Sequence, residues 1–301
     1  MPHVTFRSLF RGASVSIDDY LCRAPHSGSG SEEHAYSHQV VFTRRGVFVK
    51  HVGRREVAGE PARVLFFNKD EPYRVSHPGD SGDDCTVISM ELSFLKEVVS
   101  EYEPAADQRD DPFSISDAET RPDCAAAHRA LRFACTHSVA GELDVEEHTI
   151  ALLCSVLSSA YARPEAPAPT TGTARTRRDL AEATRVFLAT QPFVNHSLPE
   201  IATALNTSPF HLSRVFRSAM GISIHQHLIR LRLISALEML PDYDSTLSAL
   251  ATNLGFANHA HFATLFRRAF GASPSEIRRS LRSDRIKELS KNLKARSDFR
   301  Q

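Results

Sequence analysis

The chain has 301 residues, enough for two domains that each bury a core, and its 36 Lys/Arg balance 36 Asp/Glu. That balance hides an asymmetry: from Arg175 onward 19 Lys/Arg face 10 Asp/Glu, while residues 1–174 hold 17 and 26, so a polyanionic partner is expected at the C-terminal end only. Five cysteines without CxxC spacing argue against a disulfide scaffold, and no basic stretch followed by an apolar run opens the chain. The longest apolar run, 150–162, is broken by serines and too short for a bilayer, so a cytoplasmic protein without a membrane partner is expected.

In chain order, residues 4–90 read as β structure. Residues 40–49 are rich in β-branched and aromatic side chains, with Gly46, Gly53 and Gly59-Glu-Pro61 as punctuation. Residues 64–67, 73–75 and 86–88 read as further short strands, and this density predicts a small barrel or sandwich. The character changes after residue 93. An Ala-rich stretch at 123–133 and Ile150, Leu153, Leu157 and Tyr161 at helical spacing predict two antiparallel helices joined near Gly141. Core packing is their first role and a dimer seam the second. Three prolines in 163–173 mark a linker, helical patterning resumes at about Arg177, and residues 284–301 read as a charged helical tail. The expected division is therefore 1–92 a β region, 93–162 a helical packing or dimerisation segment, 163–176 a linker, 177–282 an all-α domain and 283–301 the tail.

The all-α segment says nearly the same thing twice. Leu212 and Phe262, Phe216 and Phe266, Gly221 and Gly271, and Ser223 and Ser273 are each 50 positions apart. Each copy reads as a helix-turn-helix. In the first, Ser197 and Glu200 form a capping box, Asn206-Thr207 makes the turn, Ser208 caps the second helix and Pro209 occupies its first position. Leu212, Val215 and Phe216 then face inward, leaving Phe210, His211, Ser213, Arg214 and Arg217 outside. A helix fits the major groove, and arginine can bond two acceptors of guanine at once. In the second copy Leu247, Leu250, Ala251 and Leu254 pack, Gly255 turns, and Phe262, Leu265 and Phe266 anchor the second helix. His259, Ala260, Ala263, Thr264, Arg267 and Arg268 point outward; the two arginines suit phosphate. Between the copies, residues 223–240 contain no Gly or Pro. As a helix they span roughly 27 Å, comparable to the ~34 Å of one DNA turn.

At these residues the chain resembles the AraC/XylS family of transcription regulators. The motifs are Leu198-Pro-Glu-Ile-Ala, Ser208-Pro-Phe-His-Leu-Ser-Arg-Val-Phe, Leu254-Gly-Phe, His261-Phe and Phe266-Arg-Arg-Ala-Phe-Gly-Ala-Ser-Pro. The resemblance covers about residues 177–282. It implies DNA contacts at Phe210, Ser213, Arg214, His259, Ala260, Ala263 and Thr264. Ala263-Thr264 departs from the Ser-Arg common at that place, which shifts expected sequence reading toward the first copy. The resemblance further implies an α+β chain, a cupin-like sensor barrel followed by helices, a homodimer on double-stranded promoter DNA, a small-molecule effector, and RNA polymerase as a candidate partner. It implies a regulator and not an enzyme.

Within the N-terminal region, Phe42, Phe48, Phe66, Phe67 and Tyr73 are candidates to line an effector cavity. His34, His38 and His77 with Cys22 and Cys85 form a candidate set for zinc or iron, and Asp80, Asp83 and Asp84 crowd the loop after His77. A redox pair of Cys22 and Cys85 is a further reading. The alternative for the whole chain is a metal-dependent cupin enzyme with an appended helical domain, although the glutamate that cupins place after paired histidines is missing.

Overall fold

The computed structural model describes residues 4–23, 28, 30–79, 82–162 and 172–282. Most of the expected linker (163–171), the tail from 283 and Asp80 lie outside these residues. The strands are β1 (Val4–Arg11), β2 (Val15–Cys22), β3 (Glu33–His34), β4 (His38–Gly46), β5 (Phe48–Val52), β6 (Arg55–Gly59), β7 (Arg63–Phe67), β8 (Pro72–Ser76), β9 (Asp83–Met90) and β10 (Asp117–Glu119). They form a six-stranded sheet, β1-β2-β9-β4-β7-β10, and a four-stranded one, β3-β8-β5-β6. The expectation of a barrel is corrected to this extent: among the described residues the strands make two separate sheets and no closed cylinder.

Both faces of the large sheet are covered, which explains why β4, β7 and β9 are buried along almost their whole length. Side chains alternate between the faces. Val40, Phe42, Phe66 and Ile88 face helices α1 (Leu92–Ser100), α2 (Pro122–His137) and α3 (Glu142–Tyr161). Val41, Leu65, Phe67 and Val87 face the smaller sheet and its Phe48 and Val57. The stripe on α3 is core: Leu153 and Leu157 are buried, and Ile150 and Tyr161 half-buried.

The C-terminal region is all helix: α4 (Gly172–Thr190), α5 (Leu198–Ala204), α6 (Pro209–Met220), α7 (Ile224–Met239), α8 (Leu247–Asn253), α9 (His259–Phe270) and α10 (Pro274–Arg282). Helix α4 starts at Gly172, so the last five residues of the expected linker are helical. Helix α7 is buried on nearly every side because both helix-turn-helix copies, α2 and β4 all pack against it.

The two regions touch extensively. Helix α4 packs on β6, and α2 packs on α7 and α9. Charges tie this junction together. Arg63 of β7 grips Glu182 of α4 through two bonds, 2.6 and 2.8 Å, and its Nε lies 3.0 Å from Asp117. Arg185 of α4, fully buried, pairs with Glu60 and Glu119. Arg230 of α7 donates to the other oxygen of Glu119 at 2.9 Å. Burial pushes the Glu119 carboxyl up, but Arg185 and Arg63 outweigh it and hold the group at about 2. Buried His227 lies 3.6 Å from Glu60; burial, then Arg185, hold its imidazole down at about 4. It is therefore neutral at ordinary pH.

Candidate nucleic-acid interface

The local sequence explains each reader helix. Ser208 Oγ accepts from the His211 amide at 3.2 Å and Pro209 stands at the first turn, so α6 starts cleanly. Asn258 Oδ1 does the same for the His261 amide at 2.8 Å in α9. Both helices end on a left-handed glycine, Gly221 and Gly271. Ser223 with Gln226 and Ser273 with Glu276 then form capping boxes for the helices that follow. Leu212, Phe216, Phe262 and Phe266 have no exposed surface, which orients both helices from beneath. The 50-residue repeat is thus a repeat of caps, anchors and stops.

What remains outside is the predicted reading face. On α6, Ser213, Arg214 and Arg217 are exposed, His211 is half-buried and Phe210 is 77 % exposed. So large an exposed apolar side chain, one turn before Arg214 and 5.9 Å from its guanidinium, is a candidate contact surface. Phe210 suits a thymine methyl group and Arg214 a guanine edge. On α9, His259, Ala260, Thr264, Arg267 and Arg268 are exposed and Ala263 is half-buried. Thr264 Oγ1 donates to the Ala260 carbonyl at 2.9 Å, so its proton is used within the helix. This face offers two arginines and little hydrogen-bonding capacity for bases.

Arg232 holds the second copy in place. Its guanidinium donates to the carbonyls of Pro192 (2.8 Å), Gly255 (2.7 Å) and Val194 (3.0 Å) and to Asn195 Oδ1 (3.0 Å). It joins the loop after α4 to the turn between α8 and α9. Gly255 sits in that turn at φ +78, and a Cβ there would stand 2.5 Å from the Phe193 carbonyl and 2.8 Å from the Arg232 guanidinium. Sequence reasoning found Gly255 from its place in the motif but missed Arg232. The available signal was an arginine inside the apolar run of α7.

The aromatic candidates do not share one cavity. Phe42 faces the helices and stacks on His128 at 4.3 Å, and Phe66 lies on that same face. Phe48 and Phe67 are buried between the sheets with half-buried Tyr73 beside them, 5.0 Å from the Phe67 ring. Alternation along β4 and β7 makes this separation inevitable. The cleft lies elsewhere: 470 Å³ between β5, β6 and β8 on one side and α4 on the other. His51, Glu56, Asp179, Glu182, Phe187 and Leu205 are among its walls.

The metal candidates also divide. His34 is exposed, with Nδ1 3.1 Å from the Asp70 carbonyl. His38 is buried and accepts from the Lys69 amide at 3.2 Å. It pairs with Met90, at the opposite end of β9 from Asp83, a separation of about 24 Å along the strand. Cys22 and His77 do come together, with Asp83 as their third member, and Cys85 touches Asp83. No disulfide links Cys22 or Cys85, and burial, with Asp83 beside it, pushes the Cys85 thiol well up. A reactive thiolate pair is therefore not what this geometry favours.

Residues 201–280 match the family model described as a helix-turn-helix domain. Over 84 residues the chain is 30% identical to the regulatory protein PocR of Salmonella typhimurium, covering 28% of each protein. Over 67 residues it is 43% identical to the transcriptional activator RhaS of Escherichia fergusonii, covering 22% of this chain and 24% of RhaS. The matches thus span about a quarter of the length of these relatives. Among solved structures, ToxT from Vibrio cholerae aligns over 92% of this chain and 98% of its own, at 10% identity and a TM-score of 0.34. The C-terminal region is a helix-turn-helix DNA-binding domain of the AraC type.

Proposed function

We propose that the whole chain is a sequence-specific, DNA-binding transcription regulator of the AraC kind whose N-terminal region answers to a small effector. One observation carries this reading: two capped, internally anchored helices, α6 and α9, expose their outward residues at either side of α7. Helix α6 reads bases through Phe210, His211, Ser213 and Arg214, with Arg217 on phosphate. Helix α9 adds mainly backbone grip through Arg267 and Arg268, with His259, Ala260, Ala263 and Thr264 against the groove. A homodimer on promoter DNA and RNA polymerase complete the proposed partners. The N-terminal region, 1–92, acts as a cupin-like sensor with two open sheets, and 93–162 as its packing and dimerisation segment.

The effector site is the cleft between the smaller sheet and α4. An occupant there would touch both regions and bias their docking, which is what coupling requires. No helix among the described residues is long and apolar enough to cross a membrane. The regulator reading is preferred to the enzyme reading because the exposed, repeated reading face has no role in a cupin enzyme.

The test is selection of duplex fragments from the host genome by the full chain, followed by salt titration on the selected sequence. Affinity should fall with salt at a log–log slope near −0.9 per phosphate neutralised. Failure to enrich any fragment, with no duplex binding at low ionic strength, overturns the reading.

A further inference from the structure

Cys22 closes β2 and Asp83 opens β9, and the two are directly paired across the ladder. Side chains of such a pair share one face of the sheet. His77, which follows β8, brings its imidazole to the same point, with Nε2 2.8 Å from Asp83 Oδ1. The donor atoms of Cys22, His77 and Asp83 all lie within 4.8 Å of one another, and all three residues are buried. Cys85, two residues on along β9, donates from Sγ to the other carboxylate oxygen of Asp83 at 3.1 Å.

Three features separate this cluster from a chance meeting of polar groups. A carboxylate that is 3 % exposed has lost its water, yet among the described residues its ion-pair partner is His77, with no Lys or Arg. The donors are a thiol, an imidazole and a carboxylate from three separate segments, a mixture that suits a borderline cation better than a hard one. The frame is also fixed. Gly82 stands at φ +64, and a Cβ there would lie 2.1 Å from the Cys22 carbonyl oxygen, so the backbone before Asp83 is pressed onto Cys22.

We propose that Cys22, His77 and Asp83 are the three protein ligands of a zinc(II) site in the N-terminal region, with Cys85 orienting the Asp83 carboxylate. Zinc bonds of ~2.0–2.3 Å put neighbouring donors roughly 3.3–3.8 Å apart. Side-chain rotation would open the His77–Asp83 pair, now 2.8 Å, by about 0.5 Å and close pairs up to 4.8 Å apart by at most about 1 Å to reach that spacing. The cation would replace the missing positive charge beside Asp83. The Cys85 thiol would keep its bond to the second oxygen, as outer partners of ligating carboxylates do. The site is separate from the reading face and from the cleft, although Ser76 and Pro78 beside His77 line that cleft.

The experiment loads the full chain with zinc, removes loose metal by dialysis and measures zinc per chain. Cobalt(II) replaces zinc in a parallel sample for its visible spectrum. One zinc per chain is expected, with a cobalt–thiolate charge-transfer band. Cys22→Ser and His77→Ala should each weaken zinc binding by at least tenfold and abolish or shift that band. Cys85→Ser, which keeps a hydroxyl donor, should retain the metal, and His34→Ala should match the wild type. As a readout that needs no variant to fold, zinc should raise the melting temperature of the wild-type chain, and a chelator should reverse the rise. Sub-stoichiometric zinc with no cobalt–thiolate band overturns the site. So does zinc retained equally by folded Cys22→Ser and His77→Ala.

Discussion

At the scale of single residues, outward and inward positions were legible because helical periodicity separates them. Arg214 and Phe210 fall outside α6 for the same reason that Leu212 and Phe216 fall inside it. Arg214→Ala should therefore cost roughly 1–3 kcal/mol on the preferred sequence and relax selection at one base pair. Competition between matched and mismatched duplexes measures this, and an equal loss on every sequence would make Arg214 a phosphate contact. Arg232 was not legible, because its four partners belong to loops remote in sequence. Its removal strands three carbonyls at a site where charged hydrogen bonds contribute about 1.5–3 kcal/mol each. Arg232→Ala should destabilise the C-terminal domain by about 3 kcal/mol or more, read as a shifted denaturation midpoint. Arg232→Lys should not restore it, since a point charge cannot reproduce the planar fork.

At the scale of elements, strands and helices emerged where the pattern was local. The first helix-turn-helix copy is spelled out by its caps and turn, and Ser197 and Ser208 do cap their helices; the second is marked by Gly255 and its apolar anchors. The sheets were harder. Strands β4, β7 and β9 were visible as apolar segments, but burial on both faces left no alternation to show which face met helices. Pairing of β2 with β9 brings Cys22 to Asp83 across some sixty residues, and nothing local announces that register. This is why Cys22, His77 and Cys85 were found among the metal candidates while Asp83 figured only as one of three acidic neighbours. The turn at Gly255 gives the element-scale prediction. Gly255→Ala forces a Cβ against the Phe193 carbonyl at positive φ, at a cost above about 1 kcal/mol. Melting of the variant should fall, and its duplex affinity should drop through the second reader while selection by α6 persists.

At the scale of the whole molecule, the asymmetry of charge foretold a basic end but not how that end is held. Arg185, Arg63 and Arg230 are committed to Glu60, Glu119, Glu182 and Asp117 at the junction, so they are not part of the DNA-facing charge. Arg185→Met leaves buried Glu60 without its arginine, while Glu119 keeps Arg230, and should destabilise the docked arrangement by about 3–5 kcal/mol. Amide exchange in α4 and β6 would report it. Acid should act in the same direction. His227, held at about 4 against an ordinary 6.5, takes up its proton more readily when the junction is open, so docking weakens as pH falls from about 6.5 toward 4. Glu119, held at about 2, extends the loss as pH falls from about 4.5 toward 2. Exchange at α4 that is flat across this range would contradict the junction as described. The central claim, that α6 and α9 present their outward faces to one duplex, is tested most directly by salt-dependent duplex binding of the full chain beside Arg214→Ala. We expect steep salt dependence in both proteins, with the variant losing affinity chiefly on the selected sequence. Absence of duplex binding by the intact, folded chain at low ionic strength would contradict it.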